Sequence, residues 1–449
     1  LENSYLNKKP SNTLKEQIKI PTTKVQRALK LVGTGAKIGG NYVKYWTQKS
    51  LGNEEAKNNL DESNATDIYD SLSELKGSAL KVAQMLSMDK NILPQAYQNK
   101  FQMAQYSAPP LSYPLVLRTF KQELGKSPLD IFESFSQKAI HAASIGQVHK
   151  AIWQGKQLAV KIQYPGVAES VNSDLKMVKP IATRLLNLQG ASIDKYFEEV
   201  REKLLEETDY HLELKRGQWI ADQSKELEGV VFPKYYKEIS SKRIISMEWI
   251  EGKPLQEFLN QNPNQETRNK IGQMLWDFYH FQIYNLKLVH ADPHPGNFLV
   301  TPKNELAVLD FGCVKEIPTH FFDNYFELIR PETIQNPARF DEILYNLEFI
   351  LKEDAADKVP FYKKVFRDMI MLLSKPFYKE SFDFSEPSYF KEIYDLGEKY
   401  SKMKELKEAN GARGSQHGIY INRTYFGLYN LLHMLGATVQ TKIPNKNQV

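Results

Sequence analysis

The stretch from His290 to Gly312, HADPHPGNFLVTPKNELAVLDFG, leaves a chain of this kind the least freedom. Pro293, Pro295 and Gly296 prevent a regular helix between Asp292 and Asn297, so a carboxylate and an amide project from one bent loop. Residues 298–300 and 306–309 are short apolar runs joined by Thr301-Pro302-Lys303-Asn304-Glu305, the pattern of a hairpin. The second run returns Asp310 to the neighbourhood of the first loop, with Phe311 and Gly312 behind it.

Phosphoryl transfer asks for such a set: a carboxylate near the attacking hydroxyl, then an amide and a second carboxylate offering hard oxygens to magnesium. The D-x-x-x-x-N of residues 292–297 followed by the D-F-G of 310–312 matches the protein-kinase pattern. The bland alternative is a surface hairpin with chance acids. A D-F-G alone would not displace it, but two phased motifs with a hairpin between them do. Ala291 stands where eukaryotic protein kinases carry the Arg of H-R-D, so a phosphorylated activation loop has no obvious anchor here.

At 449 residues the chain can build two lobes. A net charge of +5, from 59 basic and 54 acidic residues, is too mild to argue for nucleic acid. The one cysteine, Cys313, excludes an internal disulfide and fits a reducing, cytoplasmic compartment. No apolar run reaches the ~20 residues of a spanning helix, and the opening lacks the apolar core of a signal peptide.

In chain order, a polar tail precedes a helix over 24–46, with Val25, Leu29, Leu31, Val32, Ile38, Val43 and Tyr45 as packing positions. Gly33, Gly35, Gly39 and Gly40 lack G-x-G-x-x-G spacing and a preceding strand, which favours close helix packing over a nucleotide loop. Lys and Tyr around them would also suit a membrane surface. Residues 48–66 read as a polar linker and 68–88 as a helix, which sets Lys81 and Gln84 on one side. On composition alone that pair is simply solvated. Residues 115–124 form a further helix.

A small-residue loop, His141 to Gln147, then leads into a hairpin over 148–153 and 157–162, which puts Lys161 of L-A-V-K on a strand as in the kinase V-A-I-K. Of the three loop glycines of a kinase, Gly146 alone is present. Residues 194–222 read as one long charged helix with Phe197, Val200, Leu204 and Leu205 buried. Glu213 is the preferred acid partner of Lys161, with Glu206 as second choice. Glu206, Asp209 and Glu213 share a stripe on an ideal helix, whereas Glu207 and Asp209 fall on opposite sides. If those two act together, the helix must be irregular there. Residues 230–233 and 243–250 are strands, and Met247-Glu248-Trp249-Ile250-Glu251-Gly252 resembles a kinase hinge, with backbone for adenine and Gly252 free to let the lobes rock. A helix over 266–285 leads into the catalytic-type loop. Beyond Lys315 the chain reads as helical to about 437, without a motif, and 420–439 is its most apolar helix.

A-A-S-I-G-Q-V-H at 142–149, L-A-V-K at 158–161, E-T-D-Y at 207–210 and H-A-D-P-H-P-G-N at 290–297 together resemble the UbiB (aarF-domain) family of atypical kinases. The resemblance implies an α+β, bilobal protein-kinase-like fold with an added N-terminal helical segment and a largely helical C-terminal lobe. It divides the chain into an extension over 1–60, a family-specific helical segment over 61–115, an N-lobe over 116–250 and a C-lobe over 251–449. By position it makes Lys161 and Glu213 the nucleotide-lysine pair, Asp292 the catalytic-loop acid, and Asn297 and Asp310 the magnesium ligands. Ala142, Ala143, Ser144 and Gly146, with Met247, Glu248 and Ile250, would meet ATP or ADP. Lys81 and Gln84 would be the ends of a K-x-G-Q motif lying over the site, and Glu207 and Asp209 an E-x-D motif paired with it. Ala83 replaces the glycine of the first motif, and His141 stands in the alanine-rich loop.

What this implies is Mg-nucleotide binding and hydrolysis, with a supporting role in isoprenoid-quinone or other lipid metabolism and peripheral membrane contact. Two other functions fit parts of the pattern. Phosphotransferases of the aminoglycoside or choline kinase kind share H-x-D-x-H-P-x-N but lack the A-A-S-I-G-Q-V-H and K-x-x-Q segments. A nucleotide-gated lipid-binding scaffold would need no turnover, and intact Lys161, Asp292, Asn297 and Asp310 argue against it.

Overall fold

Gln154 and Gly155, between the runs 146–153 and 156–163, both take positive φ, 49° and 71°. That two-residue turn matches the right-handed twist of paired strands and closes a hairpin with Trp153 opposite Lys156 and Gly146 opposite Gln163. The structure, a computed structural model, describes residues 55–75, 111–142, 145–186, 191–401 and 413–441, together with 33, 37, 40, 41, 43–49, 403 and 405. It is an α+β chain that divides into two compact units, Leu1–Leu186 with Lys237–Ser246, and Asn187–Tyr236 with Met247–Val449.

The first unit holds helix α1 (Ala56–Leu75), helix α2 (Tyr113–Leu124), strands β1 (Ser134–Phe135), β2 (His141–Ala142), β3 (Gly146–Trp153) and β4 (Lys156–Gln163), and helix α3 (Val167–Leu186). Strand β6 (Ile244–Glu248) completes a five-stranded sheet in the order β1-β3-β4-β6, with β2 also on β3. Helix α1 starts inside the stretch expected to be a linker, because Leu60, Ala65, Ile68 and Leu72 give it a buried face. Asn41 ties the preceding helix to it, donating to Asn64 Oδ1 at 3.0 Å and Asp67 Oδ2 at 2.8 Å. Val43, expected to pack, is instead 68% exposed, beside Trp46 at 63%.

In the second unit, the helix expected over 194–222 is two: α4 (Ala191–Glu207) and α5 (Tyr210–Gln223). Asp209 sits between them in extended backbone, and its carboxylate accepts from the main-chain N–H groups of His211 and Leu212 at 3.1 and 3.3 Å, capping α5. After the short strands β5 (Val230–Val231) and β7 (Lys253–Pro254) come helices α6 (Leu255–Leu259) and α7 (Gln265–Phe281). Strands β8 (Leu288–His290), β9 (Phe298–Val300), β10 (Leu306–Val308) and β11 (Val314–Glu316) then carry the two motifs. β9 and β10 pair antiparallel, as the sequence indicates, within a sheet of order β5-β10-β9-β7, while β8 pairs β11.

Helices α8 (Thr319–Leu328), α9 (Pro331–Gln335), α10 (Pro337–Asn346), α11 (Val359–Leu373), α12 (Pro387–Ser401) and α13 (Gln416–Leu435) follow. They are not the whole of the C-terminal part: strand β12 (Ser381–Asp383) pairs with β13 (Thr438–Gln440), a two-stranded sheet that the helical reading passed over. A Cβ on Gly272 of α7 would lie 2.6 Å from Ala437 Cβ and 3.2 Å from Val439, so the residues at the start of β13 pack directly on α7. Among the described residues no helix is long and apolar enough to cross a membrane.

Candidate active site

Strand β8 delivers His290 fully buried, and the loop after it is fixed by its own main chain. Ala291 N–H donates to the Cys313 carbonyl at 2.9 Å, which ties this loop to the turn after Asp310. His294 N–H donates to the Asp292 carbonyl at 2.7 Å, and Pro295–Asn297 form a single 3-10 turn. The Asn297 amide donates to that same Asp292 carbonyl at 2.9 Å, while Leu309 N–H donates to the Asn297 carbonyl at 3.0 Å. Asp310 leaves β10 with its Oδ1 accepting from Gly312 N–H at 2.9 Å. The structure therefore brings Asp292, Asn297 and Asp310 to one end of one hairpin.

Two further acids converge on that turn. A Cβ built on Gly312 would lie 3.2 Å from Asp310 Oδ1, 3.7 Å from Glu207 Cγ and 3.7 Å from Glu213 Oε2. Glu207 and Glu213 are both buried. The break at Asp209 places the last residue of α4 and the first turn of α5 against the same glycine, which an unbroken helix would not do. Asp209 itself is the cap of α5, so it does not share a helical stripe with Glu206 and Glu213. Glu206 is occupied elsewhere, with Lys203 Nζ at 3.0 Å and Arg216 Nη1 at 2.9 Å. Burial works to raise its pKa, but those two cations together bring it below the usual carboxylate value.

Lys203 was not legible as a site residue: it is 3% exposed, also donates to the Val314 carbonyl at 3.3 Å, and lies 5.5 Å from the centre of the Tyr420 ring. Cys313 is the buried small residue the sequence suggested. Burial, reinforced by Glu207, pushes its thiol up to about 11, so it is no reactive thiolate.

In the first unit, Lys161 is buried on β4, and Ala142 and Gly146 flank the loop between β2 and β3. Gln147 and His149 explain the end of the A-A-S-I-G-Q-V-H segment. Gln147 Oε1 accepts from Leu111 N–H at 2.6 Å, its amide reaches His149 Nε2 at 2.9 Å, and His149 Nδ1 reaches the Ser136 carbonyl at 2.6 Å. All three bonds are internal, so these two residues hold the sheet together. Ala143, Ser144, Lys81 and Gln84 lie outside the described residues.

Of the residues read as a hinge, Met247 bridges to Tyr235 and Glu248 N–H donates to the Lys234 carbonyl at 2.8 Å, while Ile250 is half-buried. Gly252 is not a free pivot. A Cβ there would come within 2.9 Å of Leu299 Cβ and 3.1 Å of the Val300 carbonyl, so glycine is needed for contact with β9.

Asn297 and Asp310 bring an amide oxygen and a carboxylate. Magnesium takes one or two such protein donors and completes its shell from water and phosphate, so the donor set fits that ion. Among the described residues no group of three or more His, Cys, Asp or Glu is placed to hold a metal ion.

Residues 103–342, more than half of the chain, match the model of the ABC1 atypical kinase-like domain. The chain belongs to the ABC1 atypical kinase-like family. It is 29% identical over 402 residues to the mitochondrial atypical kinase COQ8B of Danio rerio, covering 86% of this chain and 63% of that protein. To the mitochondrial atypical kinase COQ8 of Saccharomyces cerevisiae it is 28% identical over 385 residues, covering 84% of this chain and 75% of that one. Among solved structures, a complex of Rv3197 with erythromycin from Mycobacterium tuberculosis is similar, with a TM-score of 0.59 at 28% identity, covering 87% of this chain and 96% of that chain. The ABC1 match and that likeness bear out the α+β protein-kinase-like fold and the resemblance read from the motifs.

Proposed function

We propose that this ABC1-family chain binds a magnesium-complexed adenine nucleotide and turns it over as an atypical kinase or ATPase. The observation that carries the reading is the fixing of Asp292, Asn297 and Asp310 at one end of the β9–β10 hairpin by main-chain and side-chain-to-main-chain bonds of 2.7 to 3.0 Å. In that reading Asp292 orients the attacking group, Asn297 and Asp310 hold the metal, and Lys161 meets the phosphates. Held by Asn297 and Asp310, the ion would supply positive charge beside the phosphates. Glu213 and Glu207, against Gly312, line the same turn with carboxylates.

Membership of a family whose relatives are named COQ8 supports a role in isoprenoid-quinone or other lipid metabolism, with nucleotide and a lipid or quinone intermediate as partners and peripheral membrane contact. The matched domain favours this reading over a small-molecule phosphotransferase of the aminoglycoside or choline kinase kind.

The test is ATP hydrolysis and nucleotide-induced thermal stabilisation, with and without liposomes, for the native chain and Asp310→Asn. Magnesium-dependent stabilisation and turnover, both lost in the variant, are expected. Stabilisation without turnover leaves the scaffold reading in its place, and neither response removes nucleotide binding altogether.

A further inference from the structure

Three consecutive residues of the catalytic-type loop are met by one stripe of the last helix. Tyr420 of α13 is buried with Ala291 and Cys313. Arg423 places Nη2 3.5 Å from Asp292 Oδ1. Gly427 lies so close to Pro293 that a Cβ would come within 2.0 Å of its Cγ and 2.6 Å of its Cβ. Residues at i, i+3 and i+7 share one helix face, so 420, 423 and 427 read 291, 292 and 293 in order. The match is built from three kinds of contact: an aromatic ring on small residues, a guanidinium on a carboxylate, and a glycine that lets the backbone approach.

The two ends of the Asp292 carboxylate are thereby differentiated. Oδ1 faces Arg423, and Oδ2 is 3.5 Å from the Asn297 amide. The side chains of Arg423 and Asp292 retain 17% and 20% exposure, so their attraction is screened less than on an open surface. Ala291 removed the H-R-D arginine from the loop itself, and α13 lies beyond the 103–342 span of the family match.

We propose that Arg423 is a positioning residue for Asp292: carried on the last helix, its guanidinium holds one carboxylate oxygen and so sets the direction of the other toward the reacting groups. The proposal rests on the nucleotide-turnover reading for its kinetic consequence, but its physical core is a coupling between two side chains that exists without nucleotide.

The experiment uses the full chain with Arg423→Met, Arg423→Lys, Asp292→Asn and the double variant Arg423→Met with Asp292→Asn. Arg423→Met is expected to lower kcat by about 10- to 100-fold, the scale of a misplaced catalytic group. Because the nucleotide contacts are untouched, KM for ATP is expected to stay within about twofold. Arg423→Lys retains more activity than Arg423→Met, and in the Asp292→Asn background Arg423→Met has no further effect. A multiplicative loss in that background, or a rise in KM with kcat unchanged, overturns the proposal.

If the native chain turns over no ATP, the functional reading fails and the positioning claim is judged by itself. Nucleotide-free thermal unfolding of the same four variants should then show non-additive Tm shifts for Arg423 and Asp292. Additive shifts overturn it. Should Arg423→Met not fold, the comparison of Arg423→Lys with the native chain in the presence and absence of Asp292→Asn carries the same cycle.

Discussion

His290 Nε2 lies 2.6 Å from the main-chain carbonyl of Asp310, joining the first residue of one motif to the acid of the other. A carbonyl can only accept, so Nε2 carries the proton, and Nδ1 is left to accept from the Tyr279 hydroxyl at 3.4 Å. The His290 N–H in turn donates to Gln282 Oε1 at 3.1 Å, and the ring meets Phe311 edge-on at 5.8 Å. His290→Phe keeps an aromatic ring but loses the bonds of both ring nitrogens, to the half-buried Asp310 carbonyl and from the buried Tyr279 hydroxyl. A loss of about 1–3 kcal/mol in urea unfolding is expected. Turnover should fall more than stability, because the Asp310 backbone is what the bond holds. Unfolding curves that overlay the native ones would remove the argument.

Asp209 permits its charge to be separated from its cap. The carboxylate serves the main-chain N–H groups of His211 and Leu212, a task that an asparagine oxygen performs as well. Asp209→Ala is expected to cost about 1 kcal/mol, and Asp209→Asn a few tenths at most. If the E-x-D acid also acts through its charge, Asp209→Asn will be as stable as the native chain yet changed in nucleotide turnover. Equal activity and equal stability would make Asp209 a cap and nothing more.

His280 gives the fold a dependence on pH. Burial lowers its pKa from 6.5 to about 4, against a bond between Nδ1 and the Trp276 carbonyl at 2.7 Å. The folded chain keeps the ring neutral, while the unfolded chain takes up a proton as the pH falls below about 6.5. Protonation therefore favours unfolding, and stability declines from about pH 6.5 down to about 4 and then levels off with respect to this group. The contribution is on the order of 3 kcal/mol at the lower end. Urea midpoints measured between pH 7.5 and 4.5 for native chain and His280→Phe should show a shallower acid slope in the variant; parallel slopes would show that other groups govern the decline.

Arg413 and Asp354 form an enclosed ion pair in the second unit. Two bonds of 2.6 and 2.7 Å join them, their side chains are 9% and 8% exposed, and the guanidinium lies 3.6 Å over the Tyr362 ring. Arg413→Met strands a buried carboxylate, for which a loss of about 3 kcal/mol is expected. Thermal unfolding of this variant beside Asp354→Asn checks it. Replacing both residues together should cost less than either alone.

How much of this could be read beforehand depended on whether a residue's job lies near it in sequence. The hairpin carrying Asp292, Asn297 and Asp310 was legible because prolines, glycine and alternating apolar residues dictate it locally. The break at Asp209 was half visible: spacing alone showed that Glu207 and Asp209 cannot share a face, but not that Asp209 would act as a cap. Lys203 and Arg423 were invisible, since a lysine or arginine in a helix normally reads as a solvated face, and only tertiary packing turns it inward. Strands β12 and β13 escaped for the same reason: three residues each, far apart in sequence, are paired only by the tertiary fold.

The packing of Ala437 and Val439 on Gly272 has a temporal corollary. Ribosomes release α7 well before the residues that pack on it, so that face of the helix stays uncovered until the chain has been made through Val439. A chain cut before Ala437 would leave the face of α7 around Gly272 uncovered, so truncation there should destabilise the second unit as a whole.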